Sequence, residues 1–184
     1  KFNIIHFGAM GLANGLDYIV KTAELALKRD NHNLQFIFIG TGKTEKDLKK
    51  IVSKNNLKNV KFLGHLSKIV VSEIVNICDI STISFLDLPI LYTNSPNKLF
   101  DSLAAGKVCF VNSNGWTRKL LEEKKCGFYV DPKDPHDFLD KIEIIKNNTS
   151  LRKKMEINAR KLAESEFDRK LLAKMVMNQL EDAL

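Results

Sequence analysis

The residues best placed for chemistry are Lys98 and Asp101, a lysine and an aspartate three positions apart at the start of a predicted helix. In the same stretch, NSPNKLFDSLAAGK, Pro96 suits a first helical turn, Ser95 is a natural N-cap, and Gly106 ends the helix. Packing accounts for these three residues but not for Lys98, because a cation in the first turn opposes the helix dipole. A bound anion would explain the lysine. The alternative is a surface ion pair with Asp101, which would contribute little stability.

A glycine-rich segment, FGAMGLANGLD, follows the first predicted strand and offers a second anion-binding element. Gly8, Gly11 and Gly15 permit tight turns that leave backbone N–H groups facing a ligand. Their spacing differs from the dinucleotide-binding fingerprint, and the segment has no Walker lysine. An ordinary flexible loop with turn glycines is the alternative.

Two further predicted strands end in glycine. The second ends in Gly40-Thr41-Gly42, which suits a loop that lies flat beneath a ligand. The third ends at Gly64, followed by His65, and this pair fits a backbone edge that hydrogen-bonds a nucleobase. An ordinary loop histidine is the alternative for His65.

These segments follow short apolar runs that alternate with longer helical patterns. The predicted strands are 3–7, 34–39, 60–63, 80–84, 108–111 and 128–130. The predicted helices are 17–28, 45–55, 71–77, 96–105, 117–124, 136–147, 151–164 and 168–184. Strict alternation predicts an α/β fold with a Rossmann-like, doubly wound parallel sheet of about six strands, followed by C-terminal helices. Ligands of such sheets bind beyond the carboxyl ends of the strands, where the glycine-containing segments lie.

Composition restricts the class of protein. The 184 residues predict one domain, and no apolar run reaches the roughly 20 residues that cross a bilayer. Cys78, Cys109 and Cys126 have no metal-ligand spacing and are odd in number, which argues against a disulfide framework and favours the cytoplasm.

The 29 Lys and Arg residues exceed the 22 Asp and Glu residues by seven. These basic residues are spread widely without interleaved aromatic residues, so a solvated basic surface is favoured over nucleic-acid binding. The chain opens on a strand-like run without methionine, which predicts a domain of a longer protein.

The chain resembles the C-terminal, donor-binding domain of GT-B fold glycosyltransferases in family 4 of the retaining enzymes. The resemblance covers essentially the whole chain and rests on FGAMGLANGLDYIVKTAEL, FIFIGTGKTEKDLKK, NVKFLGHLSK, CDISTISF, SPNKLFDSLAAGKVCFV, KKCGFYVDPKDPHDFLDKI and LRKKMEINARKLAESEFDRKLLAKM. MGLANGLD with SPNKLFD is similar, more narrowly, to a branch that builds bacterial capsule or O-antigen polysaccharides by transferring N-acetylated amino sugars. The resemblance implies a hexosyl or N-acetylhexosaminyl transferase that uses a nucleotide sugar, with UDP as the expected carrier.

The resemblance implies how the nucleotide would be held. Asp101 would accept hydrogen bonds from the ribose hydroxyls. The diphosphate would rest on backbone N–H groups around Met10 and Gly11, and on those near Ser95 and Asn97 at the helix start. Holding the leaving diphosphate is the main chemical task of such a domain, because negative charge develops there as the glycosidic bond breaks.

The resemblance also places the base and the donor sugar. Gly64 and His65 would border the base, and the sugar would meet Tyr92, Thr93 and Asn94. The complete expected set of nucleotide-sugar-binding residues is Gly8, Met10, Gly11, Asn14, Gly40, Gly42, Gly64, His65, Thr93, Asn94, Ser95, Lys98 and Asp101.

The chain departs from the family pattern in three places. The first loop lacks the usual arginine and lysine and offers Met10, Leu12 and Asn14 instead, so Lys98 would be the compensating cation. Thr93 replaces the first of two glutamates that are usual in the family. Asp101 replaces the second, and its shorter side chain would have to approach the ribose more closely.

The resemblance further implies how the enzyme is divided. Residues 1–166 would form the nucleotide-sugar-binding domain, and 167–184 a helix that returns to an N-terminal domain. That second domain would hold the acceptor site and a catalytic residue, so this domain alone would be inactive. No metal and no cofactor are expected, since the nucleotide sugar is a substrate, and nucleic acid is not an expected partner. Association with the inner face of the plasma membrane stays open.

Two other functions stay open. A sugar-nucleotide epimerase of the same fold would need acid and base carboxylates in the cleft, for which Asp87 is the other candidate. A non-enzymatic basic α/β module would bind nucleic acid or a membrane face, with a steep dependence on salt.

Overall fold

A computed structural model describes residues 1–182, which fold around one parallel sheet of six strands. The strands are β1 (Phe2–Phe7), β2 (Leu34–Ile39), β3 (Val60–Gly64), β4 (Ile80–Ile83), β5 (Val108–Val111) and β6 (Gly127–Tyr129). Their order is β3-β2-β1-β4-β5-β6, and every pairing is parallel. The predicted α/β class, doubly wound topology and six strands are confirmed. The order reverses between β1 and β4, and such a switch point forms a ligand crevice at the carboxyl ends of the strands.

Helices cover both faces of the sheet. They are α1 (Asp17–Lys28), α2 (Glu45–Lys54), α3 (Lys68–Ile77), α4 (Asn97–Ala104), α5 (Trp116–Lys124), α6 (Pro135–Asn147), α7 (Thr149–Glu166) and α8 (Arg169–Glu181). Alternate strand residues point to opposite faces. On one face, Phe36 and Phe110 pack with Phe138 of α6 and with α1. On the other, Val111 packs with Leu99 of α4 and with α5 and α7.

Most element boundaries agree with the prediction to within two residues. The exception is α3, which begins at Lys68 rather than at residue 71, because Ser67 accepts a hydrogen bond from the Val70 N–H and caps the helix. Two short 3₁₀ segments, Leu12–Asn14 and Pro89–Thr93, were not predicted. Helix α8 lies within the predicted 168–184, whose last two residues are outside the described part of the chain.

The predicted N-cap of α4 is wrong. The helix begins at Asn97, so Pro96 rather than Ser95 precedes its first turn, and no side chain caps it. The 3₁₀ segment and the extended backbone at Asn94 and Pro96 deliver the chain to the helix one residue later than expected. The first backbone N–H groups of α4 therefore have no side-chain acceptor.

Helix α8 presents an exposed apolar stripe. Its members are Leu171, Leu172, Met175, Val176 and Leu180, and α8 has no buried residue. The interpretation that this stripe meets another domain stays a prediction. No helix between residues 1 and 182 combines the length and the apolar character that spanning a membrane requires.

Candidate functional site

Lys98 extends from the first turn of α4 into the crevice between β1 and β4. Its Nζ lies 3.7 Å from the position that a Cβ on Gly8 would occupy. The same Nζ lies 3.5 Å from Nε2 of His6 on β1. The backbone behind it is fixed by hydroxyl groups. Ser102 Oγ donates to the Lys98 carbonyl at 2.6 Å and lies 2.6 Å from Ser81 Oγ on β4. The predicted cation thus lies directly beneath the first loop.

The charge of Lys98 has no anionic partner within residues 1–182. The alternative of an ion pair with Asp101 is therefore not realised. Burial lowers the pKa of the half-buried Lys98 to about 8. Burial, and then repulsion from Lys98, hold the pKa of His6 well below its usual range. A cation that is partly removed from water and lies beside a neutral imidazole is a receptive position for an anion.

The first loop uses its own hydrogen-bond donors. The Met10 N–H donates to the Thr41 carbonyl at 2.9 Å, and the Gly11 N–H donates to Asn14 Oδ1 at 3.1 Å. Asn14 is also tied to β4, because its carbonyl accepts a 2.6 Å hydrogen bond from Ser84 Oγ. The expectation that the Met10 and Gly11 N–H groups hold a diphosphate therefore fails in this conformation, and the Asn14 side chain is likewise engaged within the loop.

The second loop packs against the first. A Cβ on Gly40 would lie 2.0 Å from the Gly8 carbonyl oxygen, and one on Gly42 would lie 2.5 Å from that of Met10. Only glycine permits this approach, and Gly40 also has a φ of +119°. The Thr44 hydroxyl adds a 2.8 Å hydrogen bond to the Met10 carbonyl. In this structure Gly40 and Gly42 serve loop-to-loop packing.

Gly64 and His65 lie at the end of β3, beside the second loop. The Gly64 carbonyl accepts a 2.7 Å hydrogen bond from the Gly40 N–H, and no atom lies within 4 Å of a Cβ built on Gly64. His65 is exposed. The position is accessible to a flat ligand, and its predicted contact with a base stays a prediction.

The segment between β4 and α4 carries the residues expected to meet a sugar. Tyr92 donates from its hydroxyl to Asp87 Oδ1 at 2.5 Å, while Thr93 and Asn94 are exposed. Lys133 lies 2.8 Å from Asp87 Oδ2, and it and then Tyr92 lower the pKa of that carboxyl. An ionised, paired Asp87 is poorly suited to general acid catalysis, which disfavours the epimerase alternative.

Two contacts that the sequence analysis missed fix this segment. Asn112, at the end of β5, accepts from the Phe85 N–H and donates to the Phe85 carbonyl, both at 2.8 Å. A Cβ on Gly115 would lie 2.0 Å from the Tyr92 carbonyl oxygen, so only glycine fits there. Asn112 and Gly115 lie in the segment NSNGW, which follows β5 at the carboxyl ends of the strands, where ligands of such sheets bind.

Asp101 faces a groove on the outer side of α4. A cavity of about 300 Å³ lies there between α3, α4 and α7, and Lys68, Asp101 and Arg160 contribute charged groups to its lining. Asp101 is exposed and makes no ion pair with any described residue. Lys68 and Arg160 were missed because they lie on helices without any distinguishing pattern.

A metal centre is not evident in the described range 1–182, where no three His, Cys, Asp or Glu side chains are grouped to hold an ion. The expectation that the reaction needs no metal or cofactor stays a prediction.

Cys78, Cys109 and Cys126 are all buried free thiols.

Comparison with known proteins identifies the family of the chain. Residues 1–162 match the model of the family described as glycosyl transferases group 1. Alpha-D-kanosaminyltransferase of Streptomyces kanamyceticus is 21% identical over 165 residues, which is 89% of this chain and 41% of that protein. The chain spans less than half the length of the curated relatives that it matches.

Solved structures share the fold. Anabaena HepE, determined in complex with UDP, superposes with a TM-score of 0.84 at 18% identity, over 99% of this chain and 49% of that one. The C-terminal domain of a glycosyl transferase group 1 family protein from Francisella tularensis gives a TM-score of 0.74 at 17% identity, over 92% and 87% of the two chains.

Proposed function

Since the chain belongs to the glycosyl transferases group 1 family, we propose that it is the nucleotide-sugar-binding domain of a retaining glycosyltransferase. The observation that carries the proposal is the ammonium of Lys98, which lies in the switch-point crevice without a carboxylate partner in the described chain. A diphosphate supplies two adjacent negative groups, and the crevice offers Lys98 together with the uncapped start of α4.

The remaining parts of the donor follow from this anchor. The ribose extends from the crevice to Asp101 on the outer side of α4, whose exposed carboxylate has no ion-pair partner in the described chain. The base extends toward the open edge at Gly64 and His65. The sugar lies against the β4–α4 segment, near Thr93 and Asn94. UDP is the proposed carrier, and the UDP complex of the structurally similar Anabaena HepE supports this choice.

The chemical role of the domain is to stabilise the leaving group. When the glycosidic bond breaks, the β-phosphate gains negative charge, and a preorganised cation lowers the free energy of that transition state. The backbone of Lys98 is held in place because the Ser102 hydroxyl donates a hydrogen bond to the Lys98 carbonyl. Water exclusion beneath the first loop strengthens the interaction.

The acceptor and the catalytic residue lie, in this proposal, on a second domain of the same enzyme, and the 184-residue chain alone is inactive. The transferred group is a hexosyl or N-acetylhexosaminyl unit, and the acceptor is a bacterial surface glycan or its lipid-linked precursor at the cytoplasmic membrane face. The name of the kanosaminyl-transferring relative supports an amino-sugar donor.

Calorimetric titration of the 184-residue chain with UDP, UMP and uridine tests the proposal. UDP is expected to saturate one site at millimolar concentration or below, UMP to bind more weakly, and uridine to bind weakest, because affinity depends on the phosphates. ADP serves as a control for recognition of the base. Equal affinity for UDP and uridine, or no saturation by UDP, would refute the proposal.

A further inference from the structure

His6 is an unusual polar residue within an apolar strand. It is 1% exposed, and its ring lies beside that of Phe38, with ring centroids 6.1 Å apart. Its Nε2 lies 3.5 Å from Lys98 Nζ. Its Nδ1 makes no hydrogen bond of good geometry in the described part of the chain, although backbone groups of Ala9 and Thr82 lie near enough to the ring to act on its pKa. A buried polar atom without a partner is costly, so the residue requires an explanation beyond packing.

The chemistry of the contact fixes the form of the ring. An ammonium group only donates hydrogen bonds, so Nε2 of His6 must be the acceptor and Nδ1 must carry the ring proton. Burial and the neighbouring Lys98 lower the pKa of His6 and keep the ring neutral. His6 therefore offers Lys98 a hydrogen-bond acceptor that carries no charge.

We propose that His6 is a positioning residue, which holds the Lys98 ammonium beneath the first loop and leaves its charge available for the diphosphate. The inference rests on the proposed function, in which Lys98 binds the phosphates. A carboxylate at position 6 would hold the amine equally well but would neutralise it. An apolar residue would leave the ammonium with no acceptor before the ligand arrives.

No other charged group controls this pair. The titratable residues around α4 are Asp101 on the helix itself, Lys68 on α3, Arg160 and Glu164 on α7, Asp168 and Arg169 at the start of α8, and the buried thiol of Cys109 on β5. None of them contributes to the pKa of Lys98, which burial alone lowers to about 8. A midpoint near this value in a binding curve therefore reports on Lys98, and the effect of His6 has to be read from variants of His6.

The test measures UDP affinity of the 184-residue chain from about pH 7 to about pH 9 by calorimetry, a range in which the phosphate groups are already ionised and the uracil N3–H is still protonated. Wild-type affinity is expected to fall as pH rises through about 8, because Lys98 loses its proton. His6→Phe and His6→Leu remove the acceptor. Each is expected to shift the midpoint down by about one pH unit and to weaken binding about tenfold at about pH 7. His6→Gln retains an acceptor and is expected to restore both.

Lys98→Met separates the two ideas. If this variant binds UDP like the wild type, the proposed function fails. If it loses binding while the folded His6→Phe or His6→Leu keeps the wild-type affinity and midpoint, the role of His6 alone is overturned. Nitrogen NMR of the wild-type histidine rings gives a readout that needs no variant. A proton on Nδ1 of His6 is expected, and a proton on Nε2 would overturn the inference.

Discussion

Two cations lie at opposite ends of the strands, and their charges are compensated differently. The amino ends of the strands are called the amino edge here, and the carboxyl ends the carboxyl edge. At the amino edge, Arg152 of α7 lies 3.2 Å from Asp79 and 3.8 Å from Glu156, and its guanidinium covers the Phe2 ring. At the carboxyl edge, Lys98 has a neutral imidazole for its neighbour and no carboxylate in residues 1–182.

This difference in neighbours indicates a structural role for Arg152 and agrees with the ligand-binding role proposed for Lys98. Asp79 also accepts a 2.8 Å hydrogen bond from the Asn3 N–H, so the charges at the amino edge join β1, the start of β4 and α7 in a complete arrangement. The arrangement around Lys98 lacks a counter-charge within residues 1–182, which under the proposed function the diphosphate supplies. A partly buried cation without a counter-charge lowers stability, and a bound ligand that supplies the charge offsets that cost.

The sharpest way to break this comparison is Lys98→Met. We expect UDP affinity to fall about 100-fold, because a charge-assisted hydrogen bond contributes about 1.5–3 kcal/mol. Calorimetry measures the change, with Lys154→Met, which removes an exposed lysine of α7, as the matched control. A loss equal in the two variants would mean that overall charge, rather than position, attracts the ligand.

The two edges should also respond differently to pH. The pKa of Lys98 is about 8 in the folded chain and about 10.4 when unfolded, so between these values the unfolded state binds more protons. Stability of the wild type relative to Lys98→Met should therefore rise with pH across this window. The full shift would correspond to about 3 kcal/mol, and because Lys98 is partly exposed we expect a rise of up to about 2 kcal/mol. Urea unfolding at several pH values measures this difference, and a flat difference would contradict the burial of the amine.

Arg152→Met tests the amino edge. The change leaves Asp79 and Glu156 without their cation, and we expect the free energy of unfolding to fall by about 1–2 kcal/mol, given that the pair is partly solvated. UDP affinity should be unchanged. Urea unfolding and calorimetry on the same sample measure the two quantities, and a parallel loss of UDP binding would show that the edges are coupled.

The smallest expected effect is that of Asp101→Asn. The substitution weakens a ribose contact, so UDP affinity should fall about fivefold, corresponding to roughly 1 kcal/mol. The free energy of unfolding should stay within about 0.5 kcal/mol, since Asp101 is exposed. Titration with 2′-deoxy-UDP provides the control: if its affinity falls as much as that of UDP, Asp101 does not contact the 2′-hydroxyl.

The sheet could be predicted because its strands are short apolar runs that local sequence alone identifies. Lys98 could be singled out from the sequence because it conflicts with the dipole of its own helix, and its binding of an anion stays a prediction. Its neighbour could not, since His6 lies 92 positions away and only the strand order brings the two together. The engagement of the Met10 N–H was missed for the same reason, because its partner Thr41 belongs to another loop. The Gly11 N–H is engaged locally, by Asn14 of the same loop.

The two hydrogen bonds between the Asn112 side chain and the Phe85 backbone continue the pairing of β4 with β5 beyond the last residue of β4. The close approach of Gly115 to Tyr92 anchors the far end of the same segment. Between these anchors, the Leu86 N–H is tied to the first loop through the Ala13 carbonyl. These contacts hold both ends of a short arch, 87–91, which presents the exposed side chains of Leu88 and Ile90 beside the residues proposed to meet the sugar.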